Sequence, residues 1–146
     1  MSAPRRTFLA SVQDWFSVII GIGHDRTIRL VLEFGGTLDH PRLSRALRLL
    51  MDAEPILECR FVPRLFRAYW QTREDIDSLE PCTLVMTDDV KGSLHAFMAQ
   101  SIDPEHDPLF QLRIFRSAAD TVCIKLSHAA MAVSYTHLTL PTILLV

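Results

Sequence analysis

The chain has 146 residues, 49% hydrophobic and 22% charged, with a formal net charge of -2; this size and balance describe one soluble domain with its own core, not a disordered segment. Basic residues are interleaved with acidic ones and form no run, which gives no footing for a nucleic-acid surface. Cys59, Cys82 and Cys123 are odd in number and far apart, which argues against a disulfide framework or a zinc site and for buried thiols in a reducing compartment.

Arg5 and Arg6 precede the apolar stretch "FLASVQDWFSVIIGIG", but Gln13 and Asp14 interrupt it, so neither an export signal nor a membrane span is expected and the protein is placed in the cytoplasm. Phe8, Val12, Trp15, Phe16 and Ile19 recur at helical spacing, with Ser11, Gln13, Asp14 and Ser17 opposite them. That pattern predicts an amphipathic helix with its stripe in the core. In "TIRLVLEF" Ile28, Leu30, Leu32 and Phe34 alternate with Arg29, Val31 and Glu33, a strand covered on one face. Asp39 as N-cap and Pro41 in the first turn then open a helix lined by Leu43, Ala46, Leu47 and Leu50.

"PILECRFV" follows as a strand and "LFRAYWQ" as a second strand or ribbon; the charged loop "TREDIDSLEP" leads to a short strand over 83–86. Asp88 or Asp89 can cap a further helix with Val90, Leu94, Phe97 and Met98 on its buried stripe, ended by "DPEHDP". Two strands remain, "LFQLRIFR" with Phe110, Leu112 and Ile114 on one face, and "TVCIKLS" with Val122, Ile124 and Leu126 on one face. "SAAD" between them suits a hairpin. The order helix, strand, helix, strands, helix, hairpin is that of an α+β fold, a mixed α/β layer.

From Val133 the composition changes. "VSYTHLTLPT" is similar, residue for residue, to the conceptual translation of a transposase-type sequencing-library adapter, so residues 132–146 are expected to be a non-native tail and 1–131 a partial domain. Ala132 falls on the joining codon, of which only the first G would be native, and aspartate codons also begin with G. The alternation in "THLTL" is equally that of a closing strand.

Ahead of the tail, "TVCIKLSHAAM" delivers His128 to the C-terminal end of a strand. Here the sequence resembles the chloramphenicol-acetyltransferase-like superfamily, which includes peptide-synthetase condensation domains and whose hallmark is His-His-x-x-x-Asp-Gly after a strand. Ser127 stands at the first histidine, His128 at the second and Ala132 at the aspartate. The resemblance extends over residues 7–131, through "LVLEFGGTLDHPRLSRALRLLMDAEPILECRFV" and "IDPEHDPLFQLRIFRSAADTVCIKLSHAAM". Glu58 departs from it, since many members carry an arginine there.

The resemblance implies the N-terminal half of a two-subdomain fold. It also implies acyl transfer from a coenzyme A or carrier-protein phosphopantetheine thioester to an alcohol or amine, with His128 as general base. An acyl carrier protein is an implied partner, the thioester is a co-substrate rather than a tightly bound cofactor, no metal is required, and the chain alone should be inactive. The alternative is a non-catalytic binding module for a carrier protein or other partner. Elsewhere, "GIGHD" is only a partial glycine loop and reads as a turn. His24, His40, His95 and His106 are scattered without an acidic or cysteine partner at ligand spacing, and Asp103, Glu105 and Asp107 read as a solvated turn.

Overall fold

Two β-sheets and three helices make up the computed structural model of the protein, which describes residues 7–21 and 25–130. The elements run β1 (Thr7–Leu9), α1 (Val12–Gly21), β2 (Thr27–Glu33), α2 (His40–Ala53), β3 (Cys59–Val62), β4 (Tyr69–Thr72), β5 (Cys82–Met86), α3 (Val90–Ala99), β6 (Phe110–Arg116) and β7 (Asp120–Ser127). Short 3-10 turns occupy Pro55–Glu58 and Ile76–Ser78. One sheet has the order β1-β4-β3 and the other β2-β7-β6-β5. In the larger sheet β5 and β6 are parallel and joined through α3, while β6-β7 and β7-β2 are antiparallel. The expected mixture of a crossover with antiparallel neighbours is what the chain adopts.

The local signals explain most of the helices. Asp39 accepts from Arg42 N at 3.0 Å and Pro41 sits in the first turn of α2, so the cap read from the sequence is the cap observed. For α3 the choice between Asp88 and Asp89 falls on Asp89, whose Oδ1 accepts from Gly92 N at 2.9 Å. Gly92 belongs to that cap: a Cβ there would run into the Asp89 carboxylate. Ser11 and Asp14 make a reciprocal box at the start of α1, Asp14 N donating to Ser11 Oγ and Ser11 N to Asp14 Oδ2.

The first apolar stripe needs correction. Phe8 belongs not to a helix but to β1, where it pairs with Trp70 of β4. Within α1, Val12 is 82% exposed and Phe16 59%, while Asp14, expected on the polar side, is buried and accepts from Trp70 Nε1 at 3.4 Å. A carboxylate that satisfies two backbone or indole donors can be buried where a lone one could not. Two strand boundaries also shift. Pro55–Glu58 winds as a 3-10 turn before β3, because Pro55 opens a helical turn more readily than a ladder. Leu65 and Phe66 fall in an exposed bend outside β4.

Leu47 and Met51 of α2 pack with Phe61 and Trp70 of the smaller sheet and with Leu112, Ile114 and Val122 of the larger one in a single core. A satellite cluster on the opposite face joins α3 to Phe115 and Cys123. All three cysteines are free and buried, as expected. The edge strand β2 departs from the expected pattern: Ile28, Leu30, Leu32 and Phe34, predicted to face the core, are all exposed. In β7 the alternation holds but both faces are covered, and the odd face carries the more deeply buried pair, Cys123 and Lys125 beneath α3.

Candidate functional site

Where β7 ends, its last two amides are tied to different neighbours. Ser127 N donates to Leu109 O at 2.8 Å on one side, and His128 N donates to Arg26 O at 3.0 Å on the other. His128 is therefore fixed in the backbone by both flanking chains at the point where the strand turns into a helical segment that begins at 128. Ala129 and Ala130 are buried and anchor that turn from below, while the His128 side chain is exposed. Small residues here let the backbone turn against the core without displacing it; the same pair with larger side chains would clash with a closely packed interior.

The support of this corner extends into the Asp25 to Thr27 segment. Thr27 is paired with Ser127 in the sheet register, and its buried hydroxyl accepts from Ile102 N at 2.8 Å. Asp25 accepts from Thr27 N and forms an ion pair with Arg29 at 2.6 Å. Its burial pushes the carboxyl up, but the Thr27 amide and the Arg29 guanidinium outweigh that and bring it down to about 2. Arg29 in turn donates through Nε to Met98 O at 2.6 Å, so the loop before β2 is locked to the end of α3.

Lys125 was not singled out by sequence pattern, which placed it on the solvated side of an alternating strand. It is 1% exposed, donates from Nζ to Phe97 O at 3.2 Å and Gln100 O at 3.0 Å, and sits 4.0 Å from the Phe97 ring centroid. Burial and the neighbouring Arg29 charge push its ammonium down from the ordinary lysine value. Its partners are the last carbonyls of α3, the negative end of the helix dipole, which identifies it as a helix-terminating cation rather than a reactive amine.

The other candidate residues stay apart. Met131 and Ala132, the fifth and sixth positions of the histidine motif, and His24 lie outside the described residues, as does the tail from 133. His40 Nε2 contacts Cys82 O at 3.0 Å inside the fold. His106 meets a single carboxylate: its Nδ1 is 2.8 Å from Asp103 Oδ2, and that carboxylate raises the imidazole above its ordinary value. The Asp103 to Asp107 turn is closed by its own side chains, Asp107 Oδ2 accepting from Asp103 N and Asp103 Oδ1 from Glu105 N. Among the described residues no three metal-ligating side chains converge. An open cavity of about 420 Å³ lies between β1, α1 and the Leu65 to Ala68 bend, and none of its lining belongs to the sheet that carries His128. No helix among the described residues is long and apolar enough to cross a membrane.

The arrangement of elements is similar to that of solved condensation domains of peptide synthetases. The starter condensation domain of rhizomide synthetase RzmA superposes with a TM-score of 0.65 at 15% identity, over 85% of this chain and 33% of that one; a variant of it was solved in complex with C8-CoA. The first condensation domain of the calcium-dependent antibiotic synthetase gives 0.63 at 18% identity, covering 84% and 33%. The epimerization domain from the third module of tyrocidine synthetase B gives 0.64 at 14%, covering 87% and 30%. No family model and no curated protein sequence matches the chain. The likeness establishes the fold: the chain adopts part of the condensation-domain fold and spans about a third of the length of the structures it matches.

Proposed function

We propose that this chain is the His128-bearing part of a condensation-type acyltransferase. The observation that carries the reading is the placement of His128: an exposed imidazole at the C-terminal end of β7, its own amide bonded to Arg26 O and that of Ser127 before it to Leu109 O, in a fold shared with condensation domains. A neutral imidazole carries one ring nitrogen with a free lone pair, the acceptor that a general base needs.

In the proposed reaction an acceptor hydroxyl or amine attacks the carbonyl carbon of an acyl thioester while His128 takes the acceptor's proton. The new C–O or C–N bond forms, the C–S bond breaks, and the proton passes to the departing thiolate of coenzyme A or a phosphopantetheine arm. Acyl donor and acceptor would meet over the corner that presents His128, and the remaining walls of the site would come from polypeptide beyond this chain. The fold by itself does not select the reaction, since an epimerization domain shares it.

The test is His128→Ala in the full-length parent, with residues 132 onward read from genomic sequence. The expected result is loss of acyl transfer by about 10²–10⁴-fold, with thioester binding and thermal stability retained. Unchanged turnover would overturn the general-base assignment. A native non-acidic residue at 132, with carrier-protein binding but no transfer, would instead establish the binding-module alternative.

A further inference from the structure

Among the described residues β2 has a strand neighbour on one side only. Phe34 N donates to Asp120 O, and Arg26 O accepts from His128 N, so the even residues of this strand direct their backbone groups at β7. Thr27, Arg29, Val31 and Glu33 therefore direct theirs at the open edge. The Thr27 groups are already taken, its N–H by Asp25 Oδ1 and its carbonyl by Arg29 Nη1. Among the described residues, what remains is a run of unpaired rungs over Arg29, Val31 and Glu33, centred on Val31.

Edges of this kind are ordinarily blunted by lysine, proline or a bulge. β2 has none: it pairs with β7 over seven consecutive positions without interruption, and Leu30, Val31 and Leu32 are exposed in succession. Its charges are self-complementary about Val31. Arg29 lies opposite Lys125 in the sheet, Lys125 and Arg113 both approach the Phe97 ring, and Asp25 is the one carboxylate paired with Arg29 among the described residues. Glu33, two residues beyond Val31, has no ion-pair partner there.

We propose that β2 docks antiparallel on β2 of a second copy of this chain, with Val31 opposite Val31 at a two-fold axis. This register places Glu33 of each copy opposite Arg29 of the other and Leu30 opposite Leu32, and it extends the sheet across the dimer. Registers centred one residue to either side keep the rungs but put Glu33 opposite Thr27 or Val31, without its cation. The contact is a short ladder with an apolar flank, below the size of permanent interfaces. Its dissociation constant falls on the order of micromolar.

Sedimentation equilibrium of the 146-residue chain between about 1 and 200 µM is expected to show a monomer–dimer equilibrium. Glu33→Lys should raise the dissociation constant tenfold or more with an unchanged circular dichroism spectrum and melting curve. Val31→Cys should give a disulfide-linked dimer under mild oxidation, since the facing Cα atoms of such a pair, about 5.5 Å apart, suit a disulfide and the native cysteines are buried. Met86→Cys, exposed on the opposite edge strand, should not. A monomer at every concentration, as when β2 is reserved for another stretch of a longer polypeptide, overturns the proposal. So does a dimer that keeps its affinity in Glu33→Lys, or one in which the Val31 thiols do not join.

Discussion

Arg116 closes on Asp120 through two parallel hydrogen bonds, Nε to Oδ1 and Nη2 to Oδ2, each 2.8 Å. The pair brackets the β6-β7 turn and also holds the segment before α2, because Asp120 Oδ2 accepts from Leu38 N at 2.7 Å while Arg116 donates to Leu38 O. Asp120→Asn keeps the shape but loses the charge that three donors converge on. The expected cost is about 2–3 kcal/mol, read as a lower urea midpoint with an unchanged slope.

The same carboxylate sets a pH dependence. The Arg116 hydrogen bonds hold the Asp120 carboxyl below its ordinary value. A folded pKa below the unfolded one means that the pair's contribution is complete above the unfolded value, about 4, and is lost as the pH falls through the folded value. Wild-type stability should therefore drop more steeply than that of Asp120→Asn between about pH 5 and 2. Parallel acid curves for the two would show that Asp120 is not the group responsible.

Lys125→Met retains the stem of the side chain but leaves the carbonyls of Phe97 and Gln100 without their ammonium donor. A loss of about 1–3 kcal/mol is expected, with increased hydrogen exchange at the C-terminal turn of α3. A variant as stable as the parent would mean that desolvating the ammonium costs as much as its two bonds return.

Ser11→Ala removes one half of the reciprocal box at the start of α1 and should cost about 1 kcal/mol. Because Asp14 also accepts from Trp70 Nε1, the fluorescence of Trp70 is expected to shift in Asp14→Ala and to remain unchanged in Ser11→Ala. Equal spectra in the two variants would show that the indole contact does not depend on the carboxylate.

Burial pushes the Cys59 thiol up to about 11, and burial raises Cys82 and Cys123 in the same direction. Thiolate is the reactive form. A thiol reagent at pH 8 should therefore titrate the folded chain slowly and all three cysteines at once in denaturant. Rapid labelling without denaturant would place at least one thiol in a segment that opens readily.

In the chain as it stands, His128→Ala should change stability by less than about 0.5 kcal/mol, because the ring is exposed and the corner is held by backbone atoms. A larger loss by urea titration would identify His128 as a structural residue and weaken its reading as a base.

Much of this fold was legible because its signals are local. Asp39 and Pro41 announce α2 within one turn of chain, and the alternation in 110–116 and 121–127 announces the hairpin strands. Misreadings came where a distant partner decides: Phe8 looks helical beside Val12 but pairs with Trp70, and Asp14 looks solvated until the Trp70 indole reaches it. The candidate histidine was visible as the residue after an alternating strand, whereas Arg26 and Leu109, which hold His128 and Ser127 respectively, contribute only carbonyl oxygens and leave no side-chain signature.

By itself the sequence determined the helices α2 and α3 and the strands β2, β5, β6 and β7, through periodicity and caps, and that His128 stands at a strand end. Only the tertiary structure decided which faces are covered. Strand order makes β2 an edge, so its apolar alternation is exposed; the same order puts β7 inside the sheet with α3 across one face, so Lys125 is buried. Both strands alternate alike in sequence, and burial follows from which neighbours the chain brings back to them, a property that no local pattern encodes.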